Sequence, residues 1–270
     1  MKDFAGRVAV VTGGASGIGL ALGRAFASRS MKIVLADIEE PALEEAARSL
    51  ESSGATVMTA VVDVRDRTRM AKLADDVYER FGGAHILCNN AGVGYGGPMH
   101  ELTLDDWDWV LDVNLKGVIH GIHAFLPRML ASDEPCHIVN TASLAGLVAT
   151  PNMGPYNAAK YAVVAISETL AGECLQTNVG VSVLCPAWVN TRIGESERNA
   201  PPELELSTQS PITQALGEDV RNLLRTGLDP GDVAERTLVA IENGSLYVLT
   251  HPELMALIEE RFRQIMNSRP

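Results

Sequence analysis

Two residues that could exchange a proton with a substrate, Tyr156 and Lys160, stand four positions apart. On a helix this spacing places both side chains on one face. Tyrosine has an ordinary pKa near 10 and is a weak acid-base catalyst at neutral pH. An ammonium about 4 Å away attracts a phenolate by roughly 4 kcal/mol at an effective dielectric of about 20, enough to lower the phenol pKa towards neutrality. We therefore predict that Lys160 activates Tyr156 as an acid-base group.

A third candidate, Ser143, follows a predicted strand over 137–141. Its hydroxyl could hold a substrate oxygen for reaction without acting as a nucleophile. No histidine–aspartate pairing supports a serine hydrolase, and the sequence lacks the GxSxG pattern of such enzymes. The three residues together indicate proton transfer coupled to the interconversion of an alcohol and a ketone.

A glycine-rich stretch near the start of the chain, 12–19, follows a predicted strand and opens a predicted helix. Its glycines have GxxxGxG spacing, which lets the backbone approach a ligand closely. A helix N-terminus offers N–H groups and a partial positive charge to a diphosphate. We predict that the loop binds a dinucleotide through five residues: Gly13, Ser16, Gly17, Ile18 and Gly19.

An acidic residue, Asp37, ends the second predicted strand 18 residues after Gly19. This is near the distance expected for a carboxylate that hydrogen-bonds the adenosine ribose hydroxyls. A carboxylate there repels a 2′-phosphate, and Ile38 rather than a basic residue follows it. The sequence therefore favours NAD over NADP.

The positions of these residues depend on short β-branched runs that alternate with segments of helical period. This alternation predicts an α/β fold, a doubly wound parallel sheet flanked by helices in a single domain over 1–270. The predicted strands cover 7–12, 32–37, 56–62, 86–89, 137–141, 181–185 and 246–250. The predicted helices cover a segment from about 18, then 39–53, 66–81 with Asp66 as N-cap, 105–130, 155–175 and 252–267.

One segment, 191–228, breaks the alternation. It contains Pro201, Pro202 and Pro211, many polar residues and weak periodicity. Long irregular segments of compact domains often form lids, and we expect a substrate lid here. A disordered surface excursion is the alternative.

The overall composition narrows the class of protein. The chain has 270 residues, 46% of them apolar, and a net charge of -12, which disfavours nucleic acid and anionic membranes as partners. Its four cysteines lie far apart without CxxC spacing and are expected to be buried thiols. His120 and His123 lack a nearby partner for a metal site, and we expect no metal. Without an apolar signal stretch or spanning segment, a cytoplasmic location is expected.

Taken in order, these motifs resemble the short-chain dehydrogenase/reductase family from about residue 5 to 192. The resemblance rests on the stretch 12–19, Asn89-Asn90-Ala91-Gly92, Asn114, Ser143, Tyr156 and Lys160. It implies a Rossmann-like seven-stranded sheet, assembly as a homotetramer or homodimer, and a small alcohol or ketone as substrate. It also implies that Lys160 binds the nicotinamide ribose and that Asn114 braces a bent helix and a water relay towards that lysine.

The same resemblance implies further residues at the cofactor. These are Ile38, Asp63 and Val64 at the adenosine end, Asn90, Ala91 and Gly92 beside the cofactor, and Pro186, Val189 and Thr191 at the nicotinamide end. The chain departs from the family where many members have Pro-Gly, because Ala187 follows Pro186. The additional methyl is expected to shift the loop slightly at the nicotinamide.

The predicted substrate pocket is built from largely apolar residues. It comprises Gly94-Tyr95-Gly96, Leu144, 150–154, Trp188 and the lid. This indicates a hydrophobic or aryl secondary alcohol, and the stretches 1–4 and 246–249 resemble bacterial members that act on bulky aryl alcohols. Two other functions stay open: a non-catalytic dinucleotide sensor, and a lyase or epimerase that uses bound cofactor.

Overall fold

Seven parallel strands form one sheet in a computed structural model that describes residues 1–207 and 211–268. The strands are β1 (Val8–Thr12), β2 (Lys32–Asp37), β3 (Val57–Val61), β4 (Ile86–Asn89), β5 (Cys136–Thr141), β6 (Val179–Cys185) and β7 (Tyr247–Leu249). Their order is β3-β2-β1-β4-β5-β6-β7, and every neighbouring pair is parallel. The predicted doubly wound seven-stranded fold is thereby confirmed.

Helices cover both faces of the sheet. Within the described residues they are α1 (Gly17–Ser28), α2 (Glu40–Ser52), α3 (Arg67–Phe81), α4 (Leu104–Leu111), α5 (Gly117–Leu130), α6 (Gly154–Glu173), α7 (Pro211–Arg225), α8 (Pro230–Asn243) and α9 (Met255–Asn267). Asp66 caps α3 as predicted, since its carboxylate accepts from the backbone N–H groups of Thr68 at 2.8 Å and Arg69 at 3.2 Å.

The inner strands are buried on both sides, which explains their nearly continuous apolar sequences. Every residue of β1 is buried, and its side chains alternate between two core clusters. The strand order reverses direction between β1 and β4, so the connections leave these two strands towards opposite faces. In such sheets a crevice opens at the carboxyl ends of the strands at this point.

Three helical regions differ from the predictions. The predicted helix 105–130 is divided by a π-helical turn at Asp112–Lys116. The predicted irregular segment contains a short 3-10 helix, Arg192–Asn199, and all of α7, so its description as irregular was wrong over those residues. The helix α8 was not predicted, although Asp229 caps it, Pro230 stands in its first turn and Gly244 ends it with a φ of 68°.

Candidate active site

A cavity of about 720 Å³ lies at the carboxyl ends of the strands, where the crevice was expected. Residues that end or follow the first six strands form its wall. They are Gly13, Asp37, Val62, Asn90, Ala142 and Pro186. All the predicted site residues line this cavity except two. Gly19 and Asn114 are absent from the wall, and both are buried behind it.

The glycine loop enters α1 at the cavity. Gly17 has a backbone φ of 53°, a conformation that residues with a Cβ rarely adopt. A Cβ on Gly19 would lie 2.0 Å from the carbonyl oxygen of Gly13, so this glycine keeps the helix close to the loop. The first turn of α1, which lies fully within the described residues, has neither a side-chain cap from Ser16 nor an acidic residue. Its N–H groups and partial positive charge suit an anionic diphosphate.

The carboxylate of Asp37 is fixed beside that loop. It accepts a hydrogen bond from the backbone N–H of Ala15 at 2.9 Å and another from Glu39 at 3.0 Å. Ile38 is 46% exposed and lines the cavity next to it. These bonds orient the Asp37 side chain on the β2 side of the cavity, across β1 and β4 from β5.

A second acidic residue near this end, Asp63, already has a partner. The guanidinium of Arg65 binds the Asp63 carboxylate, with Nη2 at 2.7 Å and Nε at 2.9 Å from Oδ2. Hydrogen bonding to Asp63 is the largest cause of the raised pKa of Arg65. Arg65 also lines the cavity beside Asp63 and Val64, a position that sequence reasoning missed.

The wall next to β4 is held by a small network. The hydroxyl of Thr12 accepts from the backbone N–H of Asn90 at 3.0 Å and of Ala91 at 3.1 Å. Asn114 lies in the π-helical turn and is fully buried. Its amide accepts from the N–H of Val93 at 2.8 Å and donates to the Val93 carbonyl at 2.8 Å. Asn114 thus fixes the backbone that follows Gly92 on the wall, and π-turns of this kind often occur at functional sites.

Ser143, Tyr156 and Lys160 meet at the β5 side of the cavity. Ser143 stands two residues after the end of β5, whereas Tyr156 and Lys160 lie one turn apart on α6. The Nζ of Lys160 donates to the carbonyl of Thr141 at 2.9 Å and lies 5.6 Å from the centroid of the Tyr156 ring. The lysine is 3% exposed, and burial lowers its pKa to about 8.

The predicted direction of the Tyr156 pKa was wrong for this geometry. Burial raises the pKa of Tyr156 above 10, while hydrogen bonding with Ser143 acts in the opposite sense. The prediction assumed an ammonium about 4 Å from the phenol. The Lys160 ammonium instead points at the Thr141 carbonyl, so desolvation of the phenolate is the larger effect.

The loop after β6 closes this side of the cavity. Pro186, Ala187, Trp188, Val189 and Thr191 all line it, and Trp188 is 38% exposed. The carbonyl of Pro186 accepts hydrogen bonds from the Ser143 hydroxyl at 3.3 Å and from the backbone of Leu144 at 2.8 Å. The loop and the candidate catalytic serine are therefore directly linked.

The predicted substrate residues Leu144, Tyr95 and Trp188 line the cavity together with residues that sequence reasoning missed. The ring of Tyr95 meets that of Trp109 edge to face at 5.8 Å, and Trp109 is part of the wall. Leucines from α7 and from the C-terminal segment add further apolar surface. These leucines are Leu223, Leu224, Leu254 and Leu257. No local motif marks them, because distant segments come together only in the folded chain.

Hydrogen bonds to Glu39 hold the first residues of the predicted lid at the edge of the cavity. Glu39 accepts from Arg198 at 2.7 Å, from Asn199 at 2.9 Å and from Arg192 at 3.2 Å. Burial raises the pKa of Glu39, but the bonds from Asn199 and Arg198 outweigh it and hold that pKa below its ordinary value. The hydroxyl of Ser196 also accepts from the N–H of Gly94 at 2.9 Å. These bonds hold the 3-10 helix against Glu39, which follows β2, and Gly94, which follows β4.

Comparison with known proteins identifies the fold family. A family model for short chain dehydrogenases matches residues 7–202. This chain belongs to the short-chain dehydrogenase family. It is accordingly an oxidoreductase that acts on CH–OH donors with a nicotinamide cofactor, as the motifs around Tyr156 predicted.

Three members of the short-chain dehydrogenase family show how closely the chain matches. A C alpha-dehydrogenase of Sphingobium sp. is 38% identical over 269 residues, which cover 99% of this chain and 88% of that protein. A CLA biosynthesis dehydrogenase/reductase of Lactiplantibacillus plantarum is 33% identical over 273 residues, 98% and 95% of the two chains. The crystal structure of a short chain dehydrogenase/reductase from Burkholderia phymatum in complex with NAD is 43% identical, with a TM-score of 0.97, and covers 100% of this chain and 98% of that chain.

Other candidate features are structural. All four cysteines are buried free thiols, with Cys88, Cys136 and Cys185 on strands and Cys174 at the end of α6. Across 1–207 and 211–268, no group of three or more His, Cys, Asp or Glu side chains could hold a metal ion. In that same part of the chain, no helix is long and apolar enough to cross a membrane.

Proposed function

We propose that this enzyme transfers a hydride between NAD(H) and the carbinol or carbonyl carbon of a hydrophobic secondary alcohol or ketone. One observation carries the proposal: Ser143, Tyr156 and Lys160 converge on the wall of the same cavity that the glycine loop and Asp37 enter from the other side. A reacting group and a dinucleotide could therefore be held together there.

The residues present fit a dinucleotide. A Cβ on Gly92 would lie 3.0 Å from the Asn114 side chain and 3.6 Å from Lys160 Nζ, so the glycine backbone passes close to the lysine. The uncapped start of α1 would take the diphosphate, and Asp37 would take the adenosine ribose. Lys160 would hold the nicotinamide ribose through its ammonium, and the loop from Pro186 to Thr191 would lie beside the nicotinamide ring. When bound, the cofactor supplies the hydride acceptor or donor and, in its oxidised form, a positive charge that favours a phenolate at Tyr156.

The chain's own residues handle the proton and the orientation. Tyr156 would accept the hydroxyl proton of an alcohol, or donate one to a ketone, while the Ser143 hydroxyl positions the same oxygen. With a pKa of about 8, Lys160 is mainly protonated at neutral pH and can donate hydrogen bonds into the cavity. Asn114 fixes the backbone after Gly92 and acts through it.

The preference for NAD rests on Asp37 and on the pairing of the nearby arginines. Arg192 and Arg198 line the cavity, but both bind Glu39, and Arg65 binds Asp63. These guanidinium groups are thus partly neutralised by carboxylates, and the Asp37 carboxylate itself repels a 2′-phosphate.

The preference for a hydrophobic, bulky or aryl substrate rests on the apolar wall. Tyr95, Trp109, Trp188, Leu224 and Leu257 surround the space next to the candidate catalytic residues. The segment 191–228 is proposed to act as the substrate lid, since α7 contributes to this wall. The Sphingobium relative is named a C alpha-dehydrogenase, which is in keeping with a dehydrogenase function.

The test is NADH formation from a panel of alkyl and aryl secondary alcohols, repeated with NADP. We expect wild type to reduce NAD with aryl alcohols and Tyr156→Phe to be slower by about a hundredfold or more, because the phenol transfers the proton. Tyr161→Phe is the matched control, since Tyr161 lies on the same helix and its ring contacts Arg261 rather than the cavity. Equal rates in wild type and Tyr156→Phe would refute the catalytic assignment.

Assembly and location are proposed by analogy with the family. We expect a homotetramer or homodimer in the cytoplasm, with no nucleic acid or membrane partner, in keeping with the net charge of -12. Sedimentation of the purified chain would test the assembly.

A further inference from the structure

A histidine outside the matched motifs, His251, contacts the loop that closes the cavity. It stands two residues after the end of β7 and outside the residues matched by the family model. The strands β6 and β7 are parallel, with Cys185 opposite Leu249. Residues that follow these two strands therefore lie side by side at the same edge of the sheet as the candidate active site.

The imidazole of His251 connects two consecutive loop residues. Its Nδ1 lies 3.3 Å from the backbone nitrogen of Ala187, and its Nε2 lies 3.0 Å from the carbonyl oxygen of Trp188. The Ala187 N–H can only donate and the Trp188 carbonyl can only accept. The ring consequently accepts at Nδ1 and donates from Nε2, so its two partners define the tautomer. The hydroxyl of Thr250 lies 2.7 Å from the same Nδ1.

The loop is held from its other side by the candidate catalytic segment. The Pro186 carbonyl accepts from the Ser143 hydroxyl and from the Leu144 N–H. The Trp188 carbonyl also accepts from the N–H of Leu228, at 2.9 Å, at the end of the proposed lid. A displacement of this loop would therefore change the position of the Ser143 hydroxyl and of the lid together.

The loop needs this support because of its sequence. Pro186 has no N–H to donate to a neighbouring backbone carbonyl. The backbone N–H of Ala187 bonds to a side chain instead of continuing the β6–β7 ladder.

We propose that His251 is a positioning residue: by bridging the Ala187 N–H and the Trp188 carbonyl, it holds the loop against the nicotinamide end of the cofactor and keeps Ser143 aligned. This role rests on the proposed function, because it presumes that the nicotinamide lies beside that loop. His251 itself is not on the cavity wall and acts through the loop.

The test compares His251→Phe, which keeps a ring but removes both hydrogen bonds, with His251→Gln, whose amide can accept and donate. The matched control is His100→Phe, since the His100 side chain is 83% exposed and lies off the cavity wall. Each variant is measured for kcat/KM with NAD and an aryl alcohol, for affinity for NADH, and for affinity for ADP-ribose, which lacks the nicotinamide.

We expect His251→Phe to lose about tenfold to a hundredfold in kcat/KM, the cost of a small misplacement of reacting groups. Its affinity for NADH should fall while its affinity for ADP-ribose stays that of wild type, and His251→Gln should recover most of the loss. Equal losses of NADH and ADP-ribose affinity, or no recovery in His251→Gln, would overturn the positioning role. If wild type is active and His251→Phe has the same kcat/KM and the same affinity for NADH, the positioning role is overturned as well. A wild type that binds neither ligand would overturn the proposed function and this role together.

Discussion

Replacing the buried lysine of the active site should change the stability of the protein in a pH-dependent way. Lys160 is 3% exposed, and burial lowers its pKa from 10.5 to about 8. Between pH 8 and pH 10.5, Lys160 is mostly protonated in the unfolded chain and mostly neutral in the folded chain. The free energy of unfolding of wild type therefore carries a penalty at neutral pH, and the penalty diminishes as the pH rises from 8 towards 10.5.

The size of the effect follows from the two pKa values. One pKa unit corresponds to about 1.4 kcal/mol, so the full penalty at neutral pH is roughly 3 kcal/mol. Lys160→Met removes it but also removes the hydrogen bond to the Thr141 carbonyl, a loss that does not vary with pH. The difference in unfolding free energy between wild type and Lys160→Met should therefore shift by about 2 kcal/mol in favour of wild type between about pH 7 and about pH 9.5.

The assay is urea unfolding of both proteins at the two pH values and at one protein concentration. Lys72→Met is the control, because Lys72 is exposed and its pairing with Asp76 raises the lysine pKa, so the lysine stays charged throughout this range. The same Lys160→Met protein should have lost its activity. A difference between wild type and Lys160→Met that stays constant with pH would refute the conclusion that burial destabilises the ammonium.

Two further predictions concern the cofactor end of the cavity. Asp37→Asn removes the charge and keeps an oxygen for one of the two backbone bonds, because the N–H of Ala15 bonds to Oδ2 and that of Glu39 to Oδ1. The ratio of kcat/KM for NADP to that for NAD should rise by about tenfold or more, since removing one repulsive pair is worth at least about 1.4 kcal/mol. An unchanged ratio would contradict the assignment of Asp37. Gly19→Ala would place a methyl against the Gly13 carbonyl and should lower the unfolding free energy by about 1–3 kcal/mol. Gly172 is the control, because it lies on an exposed face of α6 and a methyl there would meet nothing within 4 Å. Gly172→Ala should raise the unfolding free energy by up to about 1 kcal/mol. Thermal melting checks both signs, and a stabilised Gly19→Ala would show that the loop is not tightly packed.

Much of the fold could be predicted because local sequence and tertiary structure agree. The strands β2 and β4 occupy the predicted residues, since strands covered on both faces have continuous apolar sequences. The helix α7 escaped prediction because the surrounding prolines obscured its period, and Pro211 in fact stands in its first turn. The periodicity did not predict the π-helical turn at Asp112–Lys116, although the family resemblance implied a bent helix braced by Asn114.

The candidate site was predicted where motifs mark it and missed where distant segments meet. Tyr156 and Lys160 lie together as their spacing required, but the direction of the Tyr156 pKa depends on burial and on where the ammonium points. Neither can be obtained from spacing. Leu257 reaches the cavity wall, and His251 reaches the loop after β6, only because the C-terminal segment packs there. Their sequence neighbours give no sign of this contact.

The reaction proposed for this chain is the direct transfer of a hydride between a carbinol carbon and NAD. The most direct measurement uses an aryl secondary alcohol deuterated at that carbon, with NAD and wild-type enzyme, and analyses the ketone and the NADH by mass spectrometry. We predict that NADH and ketone form in equal amounts and that the deuterium is found on the nicotinamide ring of NADH. Tyr156→Phe should form both products far more slowly than wild type. Conversion of the alcohol without net NADH, or NADH that carries no deuterium, would contradict direct hydride transfer by this chain.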